Sequence, residues 1–354
     1  MRHAIVAAKK VLPPRPFPVA AVGLEAKVRA LCSPAAYPEK PTAVDSIETH
    51  FSWVFLGDQY AYKLKKPVRL VGLDLSSLDA RAFDCAEEVR LNRRLAPSVY
   101  LGTVPLMLDA SGTLSIDGSG EAVDWLVRMR RLPAAAMLDR AIAAHSVRPE
   151  QLHALGLLLV RFYSGLRSVL LAPDAYVSRL ERRIAEDRRH LLDPALAMDA
   201  GAVHRLIDEQ SRVLGLLRAE LGDRARQGRI VEAHGDLRPE HVCLSEPPCI
   251  IDALEFSLDL RTLDAVEELA FLHMECEVSG AAWVGSTVVN VYRELSGDAF
   301  TPALFDFYRS RRACVRAKLV ARHRLDSRYR NMAPWASLAA AYVDRAMAYA
   351  QAVD

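Results

Sequence analysis

The sequence predicts an α+β protein of two lobes, with a β-rich N-terminal lobe and a mainly helical C-terminal lobe. Its 354 residues suit about two domains or lobes, each able to bury a core of its own. Short runs with strand-like alternation, separated by turn residues, dominate as far as about residue 131. Beyond Pro133 the apolar residues recur at helical spacing, and a single short hairpin at about 230–256 interrupts them.

The domain boundaries follow from these changes of pattern. Residues 1–45 carry many prolines and predict an irregular lead-in with one short helix. Residues 46–132 are predicted to form the β-rich lobe. Residues 133–354 are predicted to form the helical lobe, which contains a hairpin at 234–256 with acidic residues at both ends. We call this segment the acidic hairpin.

The β-rich lobe is predicted element by element. The segment SWVFLGDQYAYKLKK indicates two strands around the turn Gly57-Asp58. Residues 77–95 have helical spacing, and Pro97 marks the end of that helix. A second hairpin turns at 109–112, and AVDWLVRMRRL continues as a further strand. The lobe is therefore expected to be a small sheet with one inserted helix.

Composition excludes few classes of function but disfavours two kinds of partner. The 46 basic residues nearly balance 44 acidic ones, so we expect no nucleic-acid partner, although a local basic patch stays possible. No apolar run approaches the roughly 18 residues of a spanning helix, so no membrane partner is expected. None of the six cysteines has C-x-x-C or zinc-finger spacing. With no visible export signal, this usage predicts reduced thiols and a cytoplasmic location.

The strongest chemical signal is the acidic hairpin. Asp236 follows His234-Gly235, and Asp252 follows the second short strand, sixteen residues later. Folding the hairpin back would bring both carboxylates to one edge. Phosphoryl transfer uses such a pair, because one carboxylate positions the acceptor hydroxyl and takes its proton while the other holds magnesium. Alone, the motif is more often an ordinary turn.

A lysine and a glutamate in the β-rich lobe strengthen this interpretation. Lys63 ends a predicted strand, where a cation could reach nucleotide phosphates, and Glu88 on the next helix could pair with it. Glu87 is an alternative partner that the sequence does not fully separate from Glu88. Lys65 and Lys66 are rivals of Lys63, although Lys66 lies where the strand is expected to end.

The chain resembles the aminoglycoside phosphotransferase-like branch of the protein-kinase-like fold. It is most similar to an uncharacterised bacterial group that in some members continues into a P-loop kinase-like domain. No G-x-x-x-x-G-K-[ST] motif occurs here, so that domain is expected to be absent. The resemblance spreads over most of residues 45–320. The segments that carry it are ETHFSWVFLGDQYAYKLKKPV (48–68), EEVRLNRRLAPSVYLG (87–102), VRMRRLP (127–133), HGDLRPEHVCL (234–244), IIDALEF (250–256), DAVEELAFL (264–272) and RSRRACVRAK (309–318).

This resemblance implies roles for individual residues. Asp236 matches the catalytic aspartate and Asp252 the metal-binding aspartate. Lys63 matches the phosphate-binding lysine, and Glu88 its ion-pair partner. Asp264 matches an acid that usually braces the catalytic segment, so we expect a structural role for it. The segment that meets the adenine, through its backbone, would be Met129, Arg130, Arg131 and Leu132.

Two departures from the family pattern stand out. His241 occupies the position of an asparagine that is the second magnesium ligand, and imidazole suits softer metals better than magnesium. His241 could ligate weakly, act through water, or mark a site that no longer turns over. The turn before the second strand also lacks glycine. The hydroxyls of Thr49 and Ser52 could contact phosphates there, or the segment could be an ordinary polar turn.

Two basic runs are open to two interpretations. Residues 179–190 have the charge spacing of a solvated helix face, but such a helix could also face substrate. Residues 309–318 could bind an anionic acceptor or pair with acids such as Glu267, Glu268 and Glu275. We favour the structural pairing.

Together these observations predict an ATP- and Mg²⁺-dependent phosphotransferase that acts on a hydroxyl of a small-molecule acceptor. One alternative is a nucleotide-binding pseudokinase that acts as a regulator or scaffold, favoured by His241 and the glycine-free turn. Another alternative is the transfer of AMP to a protein. The acceptor, the choice between ATP and GTP, and the oligomeric state are not determined by the sequence.

Overall fold

The computed structural model describes residues 22–70, 72–326 and 330–353. Its strands are β1 (Asp45–Glu48), β2 (Ser52–Leu56), β3 (Tyr60–Lys65), β4 (Arg69–Leu70), β5 (Leu73–Asp74), β6 (Tyr100–Leu108), β7 (Leu114–Ile116), β8 (Glu121–Arg130), β9 (Ile230–Glu232), β10 (Val242–Cys243), β11 (Cys249–Ile250) and β12 (Thr262–Asp264). Its helices are α1 (Leu24–Leu31), α2 (Leu78–Asn92), α3 (Leu138–Ala143), α4 (Pro149–Gly165), α5 (Pro173–Leu191), α6 (Ala200–Leu216), α7 (Arg218–Arg226), α8 (Leu258–Arg261), α9 (Ala265–Val278), α10 (Ala282–Ser296), α11 (Pro302–Arg322) and α12 (Trp335–Gln351).

The N-terminal lobe is built on one antiparallel sheet of six strands in the order β1-β2-β3-β8-β6-β7. Side chains alternate between its faces, as the period of a strand requires. On β3, Tyr62 and Leu64 join the apolar core beneath α1, while Ala61, Lys63 and Lys65 project to the opposite side. This alternation carries Lys63 into the space between the lobes.

Helix α2 packs across the opposite face of that sheet. The Ser77 hydroxyl caps it by accepting from the backbone N–H of Ala80. Cys85 and Val89 are buried against strand residues such as Val127. Because residues three and four apart share a helix face, this packing also buries Glu88 beneath β3.

The C-terminal lobe is a bundle of helices around α9. Eleven of the 14 residues of α9 are buried, so the helix has no solvated face and runs through the middle of the lobe. Helices α10 and α11 pack directly on it, and α4 and α12 pack on those in turn. In the described ranges, no helix combines the length and the hydropathy that crossing a membrane requires.

The acidic hairpin lies at the edge of this bundle, facing the sheet. Strands β9 and β12 pair antiparallel, with Ile230 opposite Asp264, and so anchor the chain on either side of the hairpin. Strands β10 and β11 pair with Val242 opposite Ile250. The hairpin therefore folds back as predicted, and Asp236 and Asp252 both reach the cleft.

The predicted α+β class with two lobes is confirmed, and the differences are local. The described part of the predicted lead-in, 22–45, supplies Leu31 and Tyr37 to the core of the sheet. This part of the lead-in thus packs against the sheet of the N-terminal lobe.

Candidate active site

A cavity of about 1900 Å³ opens between the two lobes. The β1–β2 turn, β3 and the end of β8 form one wall, and the acidic hairpin, α5 and α11 form the other. The eleven residues that the sequence assigned to the nucleotide, the metal or catalysis all line this cavity, namely Thr49, Ser52, Lys63, Glu88, Met129, Arg130, Arg131, Leu132, Asp236, His241 and Asp252. The structure therefore brings them together, and their individual roles stay predictions.

Lys63 joins the two lobes electrostatically. Its Nζ lies 2.9 Å from Glu88 Oε1 and 2.7 Å from Asp252 Oδ1. Burial of the ammonium group acts to lower its pKa, but the charges of Asp252 and Glu88 outweigh burial and raise the pKa of Lys63 well above its usual value. Lys63 is therefore a fixed cation, held by one acid from its own lobe and one from the other.

Glu88, rather than its neighbour Glu87, is the partner of Lys63. Glu88 is fully buried, whereas Glu87 faces Arg90 and Arg261 on the outside of α2. Sequence reasoning missed that Glu88 has a second cation, because Lys65 Nζ lies 2.5 Å from Glu88 Oε2. The alternation of β3 placed Lys65 on the face of Lys63 and was the available signal.

A tight backbone turn presents the first acid of the hairpin. Gly235 has φ +93°, and a Cβ there would lie 2.9 Å from Leu254 Cδ1 and 3.0 Å from Arg261 Cβ, so only glycine fits. The buried carboxylate of Glu268 accepts the backbone N–H groups of His234 and Gly235. Sequence reasoning gave the bracing role to Asp264, but Glu268 holds this turn directly.

Asp264 instead belongs to the interior of the helical lobe. Its carboxylate receives two hydrogen bonds from Arg224, at 2.7 and 2.6 Å, and one from the hydroxyl of Tyr308, at 3.0 Å. It also caps α9 by accepting from Val266 N. Asp264 therefore makes structural contacts, which suit the role that the sequence predicted, although it acts on α9 and not on the turn that carries Asp236.

His234 supports the same turn as a neutral side chain. Its Nε2–H donates to the carbonyl of Ile251 at 2.8 Å, and its Nδ1 accepts from Asp236 N at 3.2 Å. Burial lowers the pKa of His234 to about 4, so the ring carries no charge at neutral pH. The ring thus ties the segment before Asp236 to the residue that follows β11.

Asp236 keeps one oxygen available. Arg238 Nη2 donates to its Oδ2 at 3.0 Å, while its Oδ1 receives no hydrogen bond from the described residues. Burial acts to raise the pKa of Asp236, but the charge of Arg238 outweighs burial and leaves the pKa below its usual value. Asp236 is therefore an ionised acceptor with a free oxygen in the cleft.

Asp252 lies in an uncommon backbone conformation. Its φ of 64° is in the left-handed region, which costs a non-glycine residue about 1–3 kcal/mol. Two side chains of the N-terminal lobe hold the segment, because Asp252 N donates to the hydroxyl of Tyr100 at 3.1 Å and Ala253 N donates to Asn92 Oδ1 at 2.9 Å. Neither Tyr100 nor Asn92 carries a recognisable motif, and sequence reasoning missed both.

His241 lies between the two acids. Its Nδ1 is 2.8 Å from the carbonyl oxygen of Asp236, which makes Nδ1 the protonated nitrogen in the neutral ring. Its Nε2 then carries the lone pair and lies 3.5 Å from Arg238 Nη2 and 3.7 Å from Asp252 Oδ2. Within the described ranges, no group of three or more His, Cys, Asp or Glu side chains is arranged to hold a metal ion by itself.

The glycine-free turn is closed by its own hydrogen bonds. The Thr49 hydroxyl donates to Ser52 O and accepts from Ser52 N, both at 3.0 Å. Ser52 is buried, and Lys66 Nζ donates to Thr49 O at 2.5 Å. These contacts favour the ordinary polar turn, and phosphate contacts by Thr49 and Ser52 stay a prediction.

The end of β8 offers one unused backbone donor. The N–H groups of Arg130 and Arg131 donate to Val99 O and Gln59 O, both at 2.9 Å. The N–H of Leu132 makes no hydrogen bond to the described residues, and Leu132 lines the cavity. The predicted adenine contact therefore has one candidate donor in the backbone at Leu132, with Met129 as an apolar neighbour.

Solved structures match this arrangement of lobes and cleft. A choline/ethanolamine kinase family protein from Mesorhizobium loti superposes with a TM-score of 0.55 and 16% identity, over 91% of this chain and 94% of that one. A choline kinase from Cryptosporidium parvum superposes with a TM-score of 0.54 and 9% identity, over 92% of this chain and 95% of that one. The chain has the protein-kinase-like fold. The fold that the sequence resemblance implied is thus confirmed.

Sequence relatives of this kinase-like chain are uncharacterised. A protein of Mycobacterium tuberculosis is 32% identical over 282 residues, which are 78% of this chain and 54% of that protein. A Mycobacterium bovis protein matches to the same extent. The chain thus spans about half the length of these relatives. No protein-family model matches the chain.

Proposed function

We propose that this chain is an ATP-dependent phosphotransferase that moves the γ-phosphoryl group to a hydroxyl of a small-molecule acceptor. The proposal rests above all on one observation, the convergence of Asp236 and Asp252 with Lys63 across the cleft. The fold is shared with choline and ethanolamine kinases, which phosphorylate hydroxyl groups. The six free thiols and the use of ATP suit the cytoplasm, where we place the reaction.

The surroundings of each site residue suit it for one role in the proposed phosphoryl transfer. Asp236 would receive the acceptor hydroxyl on its free oxygen and take the proton as the oxygen attacks. Lys63 would hold nucleotide phosphates, since Glu88 fixes its position from below. The adenine would lie against Met129 and bond to the backbone at Leu132.

The residues at the end of the hairpin fit a metal bound with the nucleotide. Asp252 Oδ2 accepts no hydrogen bond from the described residues, and the lone pair of His241 Nε2 faces it. A Mg²⁺ ion would neutralise phosphate charge there and take its remaining ligands from phosphate and water. Asp252 is kept ionised for this purpose. Its partial burial works against the charge, but the ammonium group of Lys63 outweighs burial and lowers its pKa far below the usual value.

The test is ATP turnover across a panel of small hydroxyl compounds, with the products analysed by mass spectrometry. We expect Mg²⁺-dependent phosphorylation by the native chain and loss of about 10²–10⁴-fold in Asp236→Asn, the usual contribution of a general base. Asp139→Asn on the outer surface is the control and should keep full activity. An AMP-labelled product would instead favour nucleotide transfer. Equal rates in the native chain and Asp236→Asn would refute the proposal.

A second candidate is a nucleotide-binding pseudokinase. It is favoured by His241 at the second metal position and by the direct contact of Lys63 with Asp252, which occupies both groups. Thermal-shift titration with ATP, with and without Mg²⁺, separates the candidates when combined with the turnover assay. Stabilisation by ATP without turnover on any acceptor would favour the pseudokinase.

A further inference from the structure

The part of the cleft beyond Asp236 is lined by more basic than acidic side chains. Helices α5, α8, α9 and α11 and the residues just after α11 form its walls. The basic side chains there are Arg183, Arg311, Arg312, Arg316, Lys318 and Arg322, six in all. The acidic ones are Glu186, Asp187, Asp259, Glu267 and Asp326, five in all. This acceptor wall therefore carries an excess of positive charge.

Most of the acids on the acceptor wall are already neutralised. Asp187 lies between Arg311 and Lys318, at 2.8 and 2.5 Å, and is 2% exposed. Glu267 Oε1 lies 3.0 Å from Arg312 Nε. Asp259 pairs with Arg183 at 3.3 Å. A cationic acceptor would have to compete with these arginines, so the wall has little free negative charge to offer it.

Arg312 is a buried cation of the wall whose hydrogen-bond donors are only partly satisfied. Its side chain is only 8% exposed, and its guanidinium group lies 5.0 Å from the centre of the Phe271 ring. Nη1 reaches Gly235 O at a long 3.5 Å, while Nη2 has no hydrogen-bond partner among the described residues. Buried donors without partners are costly, and a charged oxygen of a ligand would relieve that cost.

The position of Arg312 connects it to the reaction. Gly235 directly precedes Asp236, so Arg312 lies beside the backbone that presents the proposed base. Toward the rim, the exposed Arg322 makes no ion pair or hydrogen bond with the described residues. Positive charge thus runs along α11 from the rim to the base, as in a site that attracts anions.

We propose that the acceptor carries an anionic group, a carboxylate or a phosphate, in addition to its hydroxyl, and that Arg312 binds this group. The inference rests on the proposed phosphotransferase function. It differs from the structural pairing that the sequence favoured for residues 309–318. That pairing exists for Glu267 and Glu275, whereas Glu268 binds the catalytic turn. It still leaves the guanidinium group of Arg312 only partly bonded.

The probes are four compounds that each offer a primary hydroxyl. They are ethanolamine, glycerol, glycerate and glycerol 3-phosphate, which are cationic, neutral, carboxylate and phosphate respectively. Each is titrated calorimetrically into the chain saturated with Mg²⁺ and a non-hydrolysable ATP analogue. We expect at least one anion to bind about tenfold or more tightly than glycerol, and ethanolamine to bind most weakly. The two anions tell carboxylate from phosphate recognition. Equal or tighter binding of glycerol or ethanolamine overturns the inference.

Variants of Arg312 test the residue itself. Arg312→Gln should weaken the preferred anion about 10–100-fold, the range for hydrogen bonds to charged groups, and Arg312→Lys should recover part of the loss. Glycerol binding and the thermal shift with ATP should stay unchanged in both variants. Arg226→Gln, exposed on α7, is the control. If Arg312→Gln weakens all four probes equally, Arg312 only supports the fold of the turn, and the inference fails.

The outcomes separate this inference from the proposed function. Preferential binding of an anion without phosphorylation of any probe would support the inference while arguing against transfer to these acceptors. Faster phosphorylation of glycerol or ethanolamine than of either anion would support the phosphotransferase and overturn the anionic acceptor.

Discussion

Two ionic clusters of this protein each join a basic side chain to carboxylates, but they differ in burial and in hydrogen bonding. Inside the helical lobe, Arg224 binds Asp264 and Asp298, and all three side chains are at most 2% exposed. In the cleft, Lys63 binds Asp252, whose side chain is 45% exposed. The buried carboxylates are further bonded by the hydroxyls of Tyr308 and Tyr292. In the cleft, Asp252 Oδ2 and Asp236 Oδ1 receive no hydrogen bond from the described residues.

The two clusters differ in how completely their carboxylate oxygens are hydrogen-bonded. A buried charge must be matched completely, because desolvation is repaid only by full pairing and hydrogen bonding. A charge at the edge of a cleft can keep an unsatisfied oxygen, because water or a ligand reaches it. The buried cluster therefore fixes the fold, whereas the cleft cluster holds charges in position and leaves room for a substrate.

The largest effect is expected from breaking the buried cluster. Arg224→Met would leave Asp264 and Asp298 buried without their main cation, and the free energy of unfolding should fall by about 3–5 kcal/mol. Urea denaturation measures it. Arg226→Met removes an exposed pair with Asp223 on the same helix and should cost about 1 kcal/mol or less. Similar losses in the two variants would contradict the assignment of a structural role to the buried cluster.

Breaking the cleft cluster should affect the reaction instead. Asp252→Asn removes the proposed metal ligand and is expected to lower turnover by about 10²–10³-fold, with a change in unfolding free energy well below that of Arg224→Met. Activity assays measure the turnover, and urea denaturation of the same preparations measures the unfolding free energy. A large loss of stability with little loss of turnover would reverse the roles given to the two clusters.

His234, in the turn that carries Asp236, should make the unfolding free energy of the protein depend on pH. The pKa of buried His234 is about 4, against an ordinary value near 6.5. Between these values the unfolded chain binds a proton and the native chain does not, so the unfolding free energy falls as pH drops from 6.5 to 4, by up to about 3 kcal/mol.

Urea denaturation at several pH values tests this dependence. In His234→Gln the fall between pH 6.5 and 4.5 should be smaller than in the native chain. His273, whose pKa is also lowered to about 4 by burial, lies outside the cleft and gives the matched control. His273→Gln should reduce the fall similarly and leave ATP binding unchanged. An unaltered slope in His234→Gln would show that His234 is charged in the native state.

The smallest effect is expected at His241. In His241→Asn an amide oxygen replaces the imidazole nitrogen beside Asp252, and oxygen suits Mg²⁺ better. We expect half-maximal turnover at a Mg²⁺ concentration several-fold lower, and a smaller ratio of Mn²⁺- to Mg²⁺-supported rates. Metal titrations of turnover measure both. If neither quantity changes, His241 does not contribute to the metal site.

Local patterns predicted most of the fold and the candidate site. The alternation of β3, the helical spacing of α2 and the two acids of the hairpin are properties of neighbouring residues, so the sequence displayed them directly. The contacts it did not display join distant segments. Glu268 is more than thirty residues from the turn it holds, and Tyr100 is 152 residues from Asp252, whose N–H it accepts.

The sequence by itself determined the two lobes and the acidic hairpin, because periodicity, turn chemistry and short motifs act over a few residues. Its resemblance to a known family added several of the residues that line the cleft. Only the tertiary structure decided which polar groups already have hydrogen-bond or ion-pair partners within the protein. It closed Thr49 within its own turn, gave Glu88 a second lysine, and moved Asp264 into the buried cluster. It also left Arg312 partly unbonded beside the turn that carries Asp236. Whether a polar group finds a bonding partner depends on what packs around it in three dimensions. The spacing of residues along the chain does not specify these neighbours.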